Sequence, residues 1–238
     1  MPTTLSVLIP AYNEADTVYT LLRRVHEAEL PEGVRRELVV VDDGSTDDTD
    51  KEILRFRKDY PQAEFQYHRH GQNRGKGAAI HTAIAAANGA YVIVQDADLE
   101  YDPNEHPRLL EPALAGYADV VYGSRFMGDR PHRILFFWHS IGNKFLTTLS
   151  NMFTNLNLTD METCYKLIRK DLLDKIELKE QRFGFEPEVT AKLARIPGVR
   201  IYEVGIGYYG RTYAEGKKIS WRDGFHAIWC VLRYNLFR

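Results

Sequence analysis

The first 125 residues alternate two kinds of pattern, and this alternation limits the possible folds more than any other feature. Short runs rich in Val and Ile, each ending in polar or glycine residues, predict β-strands. The segments between them carry apolar residues at helical spacing. The predicted strands are LSVLIPAY (5–12), RELVVVDDG (36–44), AEFQYHR (63–69), AYVIVQDAD (90–98) and ADVVYGSR (118–125). The pattern predicts an α/β fold, a Rossmann-like, mostly parallel sheet flanked by helices.

Polar side chains follow four of these strands where each one ends. In a parallel sheet the carboxyl ends of the strands meet at one edge, and ligands bind there. Three of the ends are acidic and one carries a cation, which favours a site for a metal ion and an anion over four unrelated loops. The residues are Tyr12, Asn13 and Glu14; Asp42 and Asp43; Asp96 and Asp98; and Gly123, Ser124 and Arg125.

The fourth strand ends in VQDADLEYDP (94–103), where Asp96, Asp98, Glu100 and Asp102 occupy alternate positions. In an extended backbone, alternate residues share a face. Four carboxylates on one face repel each other unless a cation holds them, so the run is either a solvated loop or a metal site. The acids and the cation at the other strand ends favour the metal site.

Known phosphate-binding signatures are absent from the sequence. Neither G-x-x-x-x-G-K-[ST] nor G-x-G-x-x-G follows the first strand. The segment QNRGKGAAI (72–80) has two interpretations, a flexible start of a helix or a helix N-terminus that brings Arg74 or Lys76 to a phosphate. In the second interpretation we take Lys76 as a donor-binding residue.

Charge and cysteine usage exclude some partners. With 31 basic and 33 acidic residues the net charge is −2, so no nucleic-acid partner is expected. Cys164 and Cys230 match no zinc or redox spacing, which is typical of a reducing compartment. The sequence has no apolar run of membrane-spanning length and no secretory signal pattern, so we expect a cytoplasmic protein. Two aromatic-rich stretches, 133–153 and 225–238, are either core-packing helices or helices that lie on a lipid surface.

Five motifs in the first half, taken in order, resemble family 2 glycosyltransferases of the A-type fold. They are SVLIPAYNE, VVVDDGSTDDT, NRGKGAAI, QDADLEYDP and YGSRF. In the second half, DMETCYKLIRKDLL, RFGFEPEVTAKLAR and YYGRTYAEGKKISWRDG are similar to the branch that contains dolichol-phosphate mannose synthase and bacterial polyprenyl-phosphate glucosyltransferases. The resemblance extends from about residue 5 to residue 226.

The resemblance implies roles for individual residues. Donor-binding positions are Pro10, Tyr12, Glu14, Val40, Asp42, Asp96, Ala97 and Asp98. Metal ligands for Mg²⁺ or Mn²⁺ are Asp96, Asp98 and Glu100, the last standing where relatives often have Gln. Catalytic positions are Asp98 and the phosphate-binding cations Arg125, Arg211 and Lys217. Gly210 and Gly216 bracket the last two cations, which predicts a segment that closes over bound donor.

The activity implied is transfer of a hexose, with inversion, from a sugar nucleotide to a polyprenyl or dolichyl phosphate. The donor is GDP-mannose or UDP-glucose. A phosphate acceptor is already an anion and needs no general base, unlike a hydroxyl group. We expect one domain over 1–238, with a nucleotide-sugar half (1–125) and an acceptor half carrying amphipathic helices (126–238). It would be peripheral to the cytoplasmic face of a membrane, with or without a membrane-anchoring subunit.

Several alternatives stay open at this point. Glu186 or Glu188 would be the base if the acceptor were a hydroxyl, and otherwise would organise the acceptor side. Thr159 or Asp160 is predicted to cap a helix. A D-x-D pair also serves phosphohydrolases and nucleotidyltransferases, although an aspartyl phosphatase needs the pair after the first strand, where this chain has PAYNE. The last alternative is a non-catalytic sugar-nucleotide-binding scaffold at a membrane.

Overall fold

The computed structural model describes residues 3–128, 130–131, 133–134, 136–212 and 221–237. Its strands are β1 Thr3–Ala11, β2 Val34–Asp42, β3 Phe65–Arg69, β4 Tyr91–Val94, β5 Val120–Ser124, β6 Lys166–Arg169 and β7 Ile201–Gly205. Its helices are α1 Val18–Glu27, α2 Thr49–Asp59, α3 Lys76–Ala86, α4 His106–Leu114, α5 Phe137–Thr154, α6 Lys170–Leu173, α7 Phe185–Leu193 and α8 Trp221–Leu236. A 3₁₀ turn over Pro103–Glu105 precedes α4.

The strands form one seven-stranded sheet in the order β3-β2-β1-β4-β6-β5-β7. Every neighbouring pair is parallel except that β6 runs antiparallel to both β4 and β5. The predicted mostly parallel α/β sheet is therefore confirmed, and the carboxyl ends of β1, β2, β4 and β5 lie along one edge. Because β6 comes from the second half of the chain, both halves contribute to the same sheet.

The central strands and the inner faces of the helices form the core. In β1, Val7, Leu8 and Ile9 are completely buried, as a strand covered on both faces requires. Helix α1 buries Val18, Leu21, Leu22 and Val25 at helical spacing. Burial of a side chain of this size contributes about 2 kcal/mol to stability. This core holds the strand ends in place, and with them the polar residues that follow the strands.

The glycines of the 72–80 segment have a packing role that neither sequence interpretation included. Gly75 has φ +102°, and a Cβ at Gly75 or Gly77 would collide with the backbone of residues 180–181. The Ala78 amide donates a hydrogen bond to the Gln181 carbonyl at 3.0 Å. The glycines thus let the start of α3 pack directly on a loop from the second half of the chain, which leaves Lys76 at the edge of the sheet.

Both aromatic-rich stretches form helices, α5 and α8, and the two helices pack against each other. Helix α8 buries Ala227, Cys230 and Val231. In α5 only Thr147 and Ser150 are fully buried. Large apolar side chains are exposed on this pair of helices, among them Phe137, Trp138, Phe145, Met152, Phe225 and Trp229. Within the part of the chain that the structure describes, no helix combines the length and apolarity needed to cross a membrane.

Candidate active site

A cavity of about 740 Å³ opens at the carboxyl ends of β1, β4 and β5 and extends to α5 and α8. Its walls bring together most of the residues that the sequence predicted for the site. These are Pro10, Tyr12, Glu14, Lys76, Asp96, Ala97, Asp98, Glu100, Arg125 and Arg211. Lys217 lies outside the described residues.

Two predicted donor contacts, Val40 and Asp42, have side chains that do not line this cavity. Val40 is completely buried within β2. Asp42 is also buried; it accepts a hydrogen bond from the Ser45 amide at 2.9 Å and pairs with Arg69 at 3.2 Å. The next residue, Asp43, does line the cavity. The side chains of this strand end divide in this way because the chain turns immediately after Asp42; donor contact by Val40 and Asp42 stays a prediction.

The acidic run after β4 does not form the single four-carboxylate face that the alternation predicted. The strand ends at Val94, and the backbone turns through Leu99, whose φ is +64°. Asp102 leaves the cavity, because its side chain accepts a hydrogen bond from the Asn104 amide and caps the 3₁₀ turn. Only the first three acids of the run, Asp96, Asp98 and Glu100, face the cavity.

The acids of the run carry more negative charge than the surrounding cations balance. Lys76 Nζ lies 2.8 Å from Asp96 Oδ1, and Arg211 Nη2 lies 3.0 Å from Asp98 Oδ2. Burial, followed by the neighbouring charges of Asp96 and Glu100, raises the pKa of Asp98 to about 7. A carboxyl group that resists ionisation beside other carboxylates is the arrangement that a divalent cation relieves, and carboxylate oxygens are the ligands that Mg²⁺ and Mn²⁺ prefer. The donor set therefore fits either metal.

Glu100 ties the segment 208–211 to the acidic run. Its Oε2 accepts a hydrogen bond from the Tyr208 hydroxyl at 2.7 Å, and its Oε1 accepts one from the Arg211 amide at 2.7 Å. The Tyr209 amide also donates to the Glu100 carbonyl at 2.9 Å. These bonds hold the Arg211 guanidinium between Asp98 and Glu14.

Arg125 is held by a buried carboxylate. Its Nε lies 2.6 Å from Asp160 Oδ2 and its Nη2 lies 2.8 Å from Asp160 Oδ1, a two-pronged pair. Burial alone would raise the pKa of Asp160, but the charge and hydrogen bonds of Arg125, together with the charge of Lys166, hold that pKa below its usual value. Residues around Asp160 form turns, so the predicted N-cap role for Thr159 or Asp160 was wrong. Asp160 fixes the side chain of Arg125 at the cavity wall.

The two glutamates of FGFEPEV have different positions. Glu186 lines the cavity, with its Oε1 3.5 Å from Lys76 Nζ. Glu188 is completely buried and accepts hydrogen bonds from the amides of Lys179 and Glu180 while pairing with Lys192. Glu188 therefore stabilises the loop before α7, and of the pair only Glu186 faces the cavity.

Sequence reasoning missed several residues of the cavity wall. Glu162 and Cys164, which precede β6, line it, as do Asn143 of α5 and Arg182 and Phe183 before α7. Their location depends on the antiparallel placement of β6 and on the packing of α5 and α8. No local sequence pattern predicts these two features. The mouth of the cavity is apolar: Phe126, Ile134 and Phe136 lie there, beside α5. The site thus joins a charged end to an apolar end.

Comparison with known proteins agrees with this geometry. The sequence model of the family described as glycosyl transferase family 2 matches residues 6–177. An undecaprenyl-phosphate 4-deoxy-4-formamido-L-arabinose transferase from Aeromonas hydrophila is 30% identical over 212 residues, which are 89% of this chain and 62% of the relative. The protein of the same name from Pseudomonas savastanoi pv. phaseolicola is 32% identical over 89% of this chain and 60% of its own length. The chain therefore spans about 60% of the length of these relatives.

Solved structures share the fold at lower identity. Glucosyl-3-phosphoglycerate synthase from Mycobacterium tuberculosis, solved with Mn²⁺, uridine diphosphate and glucosyl-3-phosphoglycerate, superposes with a TM-score of 0.74 at 21% identity. The match covers 98% of this chain and 80% of the synthase. The same synthase has also been solved with Mg²⁺ and uridine diphosphate.

These comparisons confirm the predicted A-type fold and the resemblance to polyprenyl-phosphate glycosyltransferases, and they give no support to a phosphohydrolase or a nucleotidyltransferase. A family model that covers residues 6–177, together with relatives at 30–32% identity over most of the sequence, identifies the lineage. The chain belongs to glycosyl transferase family 2.

Proposed function

We propose that the protein transfers a sugar from a nucleoside-diphosphate donor to a polyprenyl phosphate. The observation that carries this proposal is the continuity of one cavity, from carboxylates and cations at the strand ends to an apolar mouth between Phe126 and α5. A sugar nucleotide is polar and charged, whereas a polyprenyl phosphate has a charged head and an apolar chain. The names of the relatives, which contain undecaprenyl phosphate, support the same acceptor class.

Asp96 and Asp98 would hold Mg²⁺ or Mn²⁺, with Glu100 as a further oxygen ligand. When bound, the ion supplies positive charge that stabilises the departing nucleoside diphosphate. Glu100 already accepts hydrogen bonds from Tyr208 and Arg211, so ligation of the ion by Glu100 would compete with its hold on that segment. Tyr12 and Glu14, at the end of β1, are proposed to contact the nucleoside.

The remaining negative charge of the two substrates is proposed to be met by the cations of the cavity wall. Arg211 and Lys76 lie beside the acidic run, and Arg125 lies between that run and α5. Arg offers a planar fork to phosphate oxygens and Lys a point charge. Because the acceptor phosphate is an anion, its oxygen attacks the anomeric carbon without a general base, and the protein contributes alignment and charge neutralisation. We propose inversion at that carbon.

The exposed apolar face of α5 and α8 is proposed to lie on the lipid that contains the acceptor. Trp138 is 76% exposed and Phe137 is 67% exposed, and both belong to the same helix whose other residues, Asn143 among them, line the cavity. Aromatic side chains favour the membrane interface. This placement would bring the cavity mouth to the cytoplasmic face of a membrane, with or without a membrane-anchoring subunit.

The transferred sugar is proposed to be a hexose, from GDP-mannose or UDP-glucose. The relatives are named for a modified pentose, 4-deoxy-4-formamido-L-arabinose, so a pentose donor belongs in any test.

The test is an extraction assay. Purified protein is incubated with Mn²⁺ or Mg²⁺, a short polyprenyl phosphate and a panel of labelled sugar nucleotides that includes GDP-mannose, UDP-glucose and a UDP-linked amino-pentose. We expect label from one donor to enter the organic phase, and only with the divalent ion present. Donor binding without organic-phase label, but with label on an added hydroxyl acceptor, would contradict the phosphate acceptor. Donor binding with no transfer to any acceptor would favour the non-catalytic scaffold.

A further inference from the structure

The segment DMETCYK (160–166) contributes to the cavity wall a carboxyl group that has one oxygen without a hydrogen-bond partner in the described part of the chain. Glu162 lines the cavity, and its Oε1 is buried with no hydrogen-bond partner among the residues that the structure describes. Buried polar atoms in folded proteins are nearly always hydrogen-bonded, because leaving one unpaired is unfavourable. Packing does not explain this oxygen, and a ligand atom in the cavity would satisfy it.

A second carboxyl group, that of Glu186, belongs to the same wall. It lies in the first turn of α7 and is 5% exposed. Lys76 Nζ is 3.5 Å from Glu186 Oε1 and 2.8 Å from Asp96 Oδ1, so one lysine contacts both the acidic run and this second group of acids. Glu186 is therefore separated by a single side chain, that of Lys76, from the place proposed for the diphosphate.

A buried lysine faces the pair. Lys166, the first residue of β6, is 1% exposed; its Nζ donates to the Thr163 carbonyl and lies 5.2 Å from the centre of the Tyr122 ring. Burial lowers the pKa of Lys166, although Glu186 and Glu162 oppose that shift. Lys76 also contacts Glu186 but is shared with Asp96, so the carboxyl groups at this wall outnumber the cations.

Protonation of Glu162 removes that excess. Burial, followed by the Glu186 charge, raises the pKa of Glu162 to about 8. The other charged groups that act on it are Lys166 and Arg125, which lower this pKa, and Asp160, which raises it. At neutral pH Glu162 is then mostly a neutral acid, able to donate one hydrogen bond and accept another, beside a carboxylate that only accepts.

This combination suits hydroxyl groups and disfavours phosphate. A carboxylate repels a phosphate, whereas a neutral acid next to a carboxylate can bind neighbouring hydroxyls that both donate and accept. The sugar of a sugar nucleotide is bonded directly to the diphosphate, so its hydroxyls would come within one side chain of Lys76. No other part of either proposed substrate is rich in hydroxyls at that position.

We propose that Glu162 and Glu186, with Lys166 facing them, bind the hydroxyl groups of the transferred sugar, and that Glu162 is a specificity-determining residue for that sugar. This inference rests on the proposed function, because it assumes a sugar-nucleotide donor at the strand ends. It predicts that Glu162 contributes to affinity for the sugar portion of the donor and not to affinity for the nucleotide portion.

The test compares each nucleotide with and without its sugar. Dissociation constants are measured by calorimetry with Mn²⁺ for UDP, UDP-glucose, GDP and GDP-mannose, using the wild type and the variants Glu162→Ala, Glu162→Gln and Glu177→Ala. The last is a control, since Glu177 has an 80% exposed side chain and does not line the cavity. Glu162→Ala should weaken binding of the preferred sugar nucleotide about tenfold while leaving the matching diphosphate unchanged.

Glu162→Gln keeps a group that both donates and accepts, so it should recover much of the loss. The pH dependence of binding is a measurement that a merely structural role would not change. Wild-type affinity for the sugar nucleotide should fall as the pH rises through 8, and the affinity of the Gln variant should not. Equal effects of Glu162→Ala on diphosphate and sugar nucleotide, or no effect on either, would overturn this inference alone. Failure of the wild type to bind any of the four nucleotides would overturn the proposed function as well.

Discussion

The strand-end region and the α5/α8 surface meet at one cavity but differ in the polarity and the burial of their side chains. At the strand ends the functional side chains are partly or fully buried, and the cations are held by carboxylates, as Arg211 is by Asp98 and Arg125 by Asp160. On α5, large aromatic side chains such as Trp138 are exposed. The contrast indicates two ligands of different chemistry, one recognised by charge and direction and the other by apolar area.

Substitutions in the two regions should therefore change different properties of the protein. Changes at the strand ends remove charges that are fixed in place, so they should act on chemistry or on folding. Changes on the exposed helix face should alter only where the protein resides. Each of the following predictions tests one side of that division.

The largest effect is expected from Asp98→Asn. Loss of one carboxylate from the acidic run should lower metal-dependent transfer on the order of 10³-fold, since charge stabilisation of the leaving group depends on it. Initial rates at varied Mn²⁺ concentration would measure this. Stability should change by less than about 1 kcal/mol, because the side chain is at the edge of the core.

Asp102→Asn is the matched control for that experiment. Asp102 belongs to the same run but caps the 3₁₀ turn outside the cavity, and Asn also caps well. Its activity should stay at the wild-type level. Wild-type turnover in Asp98→Asn would remove the metal site from the proposal.

The next largest effect is on folding and comes from Asp160→Asn. This change leaves Arg125 buried without its counter-charge, and removal of one partner of a buried pair destabilises proteins by about 3 kcal/mol. Urea unfolding followed by circular dichroism would measure it. Because the pKa of Asp160 is lowered in the folded protein, the stabilisation by the native pair is present above the pKa of the unfolded carboxyl and is lost as the pH falls through the folded value.

Asp119→Asn provides the comparison for Asp160. Asp119 also pairs with arginines, Arg169 and Arg200, but their side chains are 37% and 51% exposed, so water screens the interaction. A loss of stability as large as that of Asp160→Asn would mean that burial is not what distinguishes the two pairs.

Arg211→Ala should reduce use of the lipid phosphate roughly 100-fold while affecting activation by Mn²⁺ much less. The Arg211 amide would still bond Glu100, so the segment 208–211 keeps its position and only the guanidinium is lost. Separate titrations of polyprenyl phosphate and Mn²⁺ in the transfer assay distinguish the two. Equal losses in both titrations would show that Arg211 belongs to the metal site and not to the acceptor.

The smallest effect is expected from Trp138→Ser, and only in the presence of lipid. Removing one exposed aromatic side chain should weaken binding to anionic liposomes about tenfold, measured by co-sedimentation, without changing donor affinity. Tyr117→Ser is the control, because Tyr117 is 62% exposed but lies before β5, at the opposite edge of the sheet. Equal losses in the two variants would mean that the α5 face has no special affinity for lipid.

The sequence predicted the first five strands well because four of them are runs of branched apolar residues closed by polar ones, and the third, AEFQYHR, contains the aromatic residues Phe65 and Tyr67 at alternate positions. It did not predict β6 or β7. Lys166–Arg169 has only four residues and begins and ends with a basic residue, and its place in the sheet is fixed by pairing with β4 and β5. Tertiary pairing of this kind leaves no local periodicity to detect.

The site residues, like the strands, were predicted where a local pattern was sufficient and not where tertiary packing decides their position. Residues directly after a predicted strand, such as Tyr12 and Asp96, were found because the geometry of parallel sheets converges there. Glu162 was given no role in the site, since nothing in DMETCYK distinguishes a cavity wall from a helix start. Val40 and Asp42 were assigned to the donor from the family resemblance; their side chains do not line the cavity, because a single turn of the backbone decides which neighbouring side chain faces it.

The insertion of β6 between β4 and β5 has a consequence for how the chain is made. When the first 125 residues have left the ribosome, β4 has β1 on one side and an unpaired edge on the other, because the strand that fills it is residues 166–169. An open strand edge is a template for pairing with other chains. We expect the nascent protein to depend on rapid synthesis or chaperone cover over this interval, and fragments ending before residue 166 to aggregate where the whole chain does not.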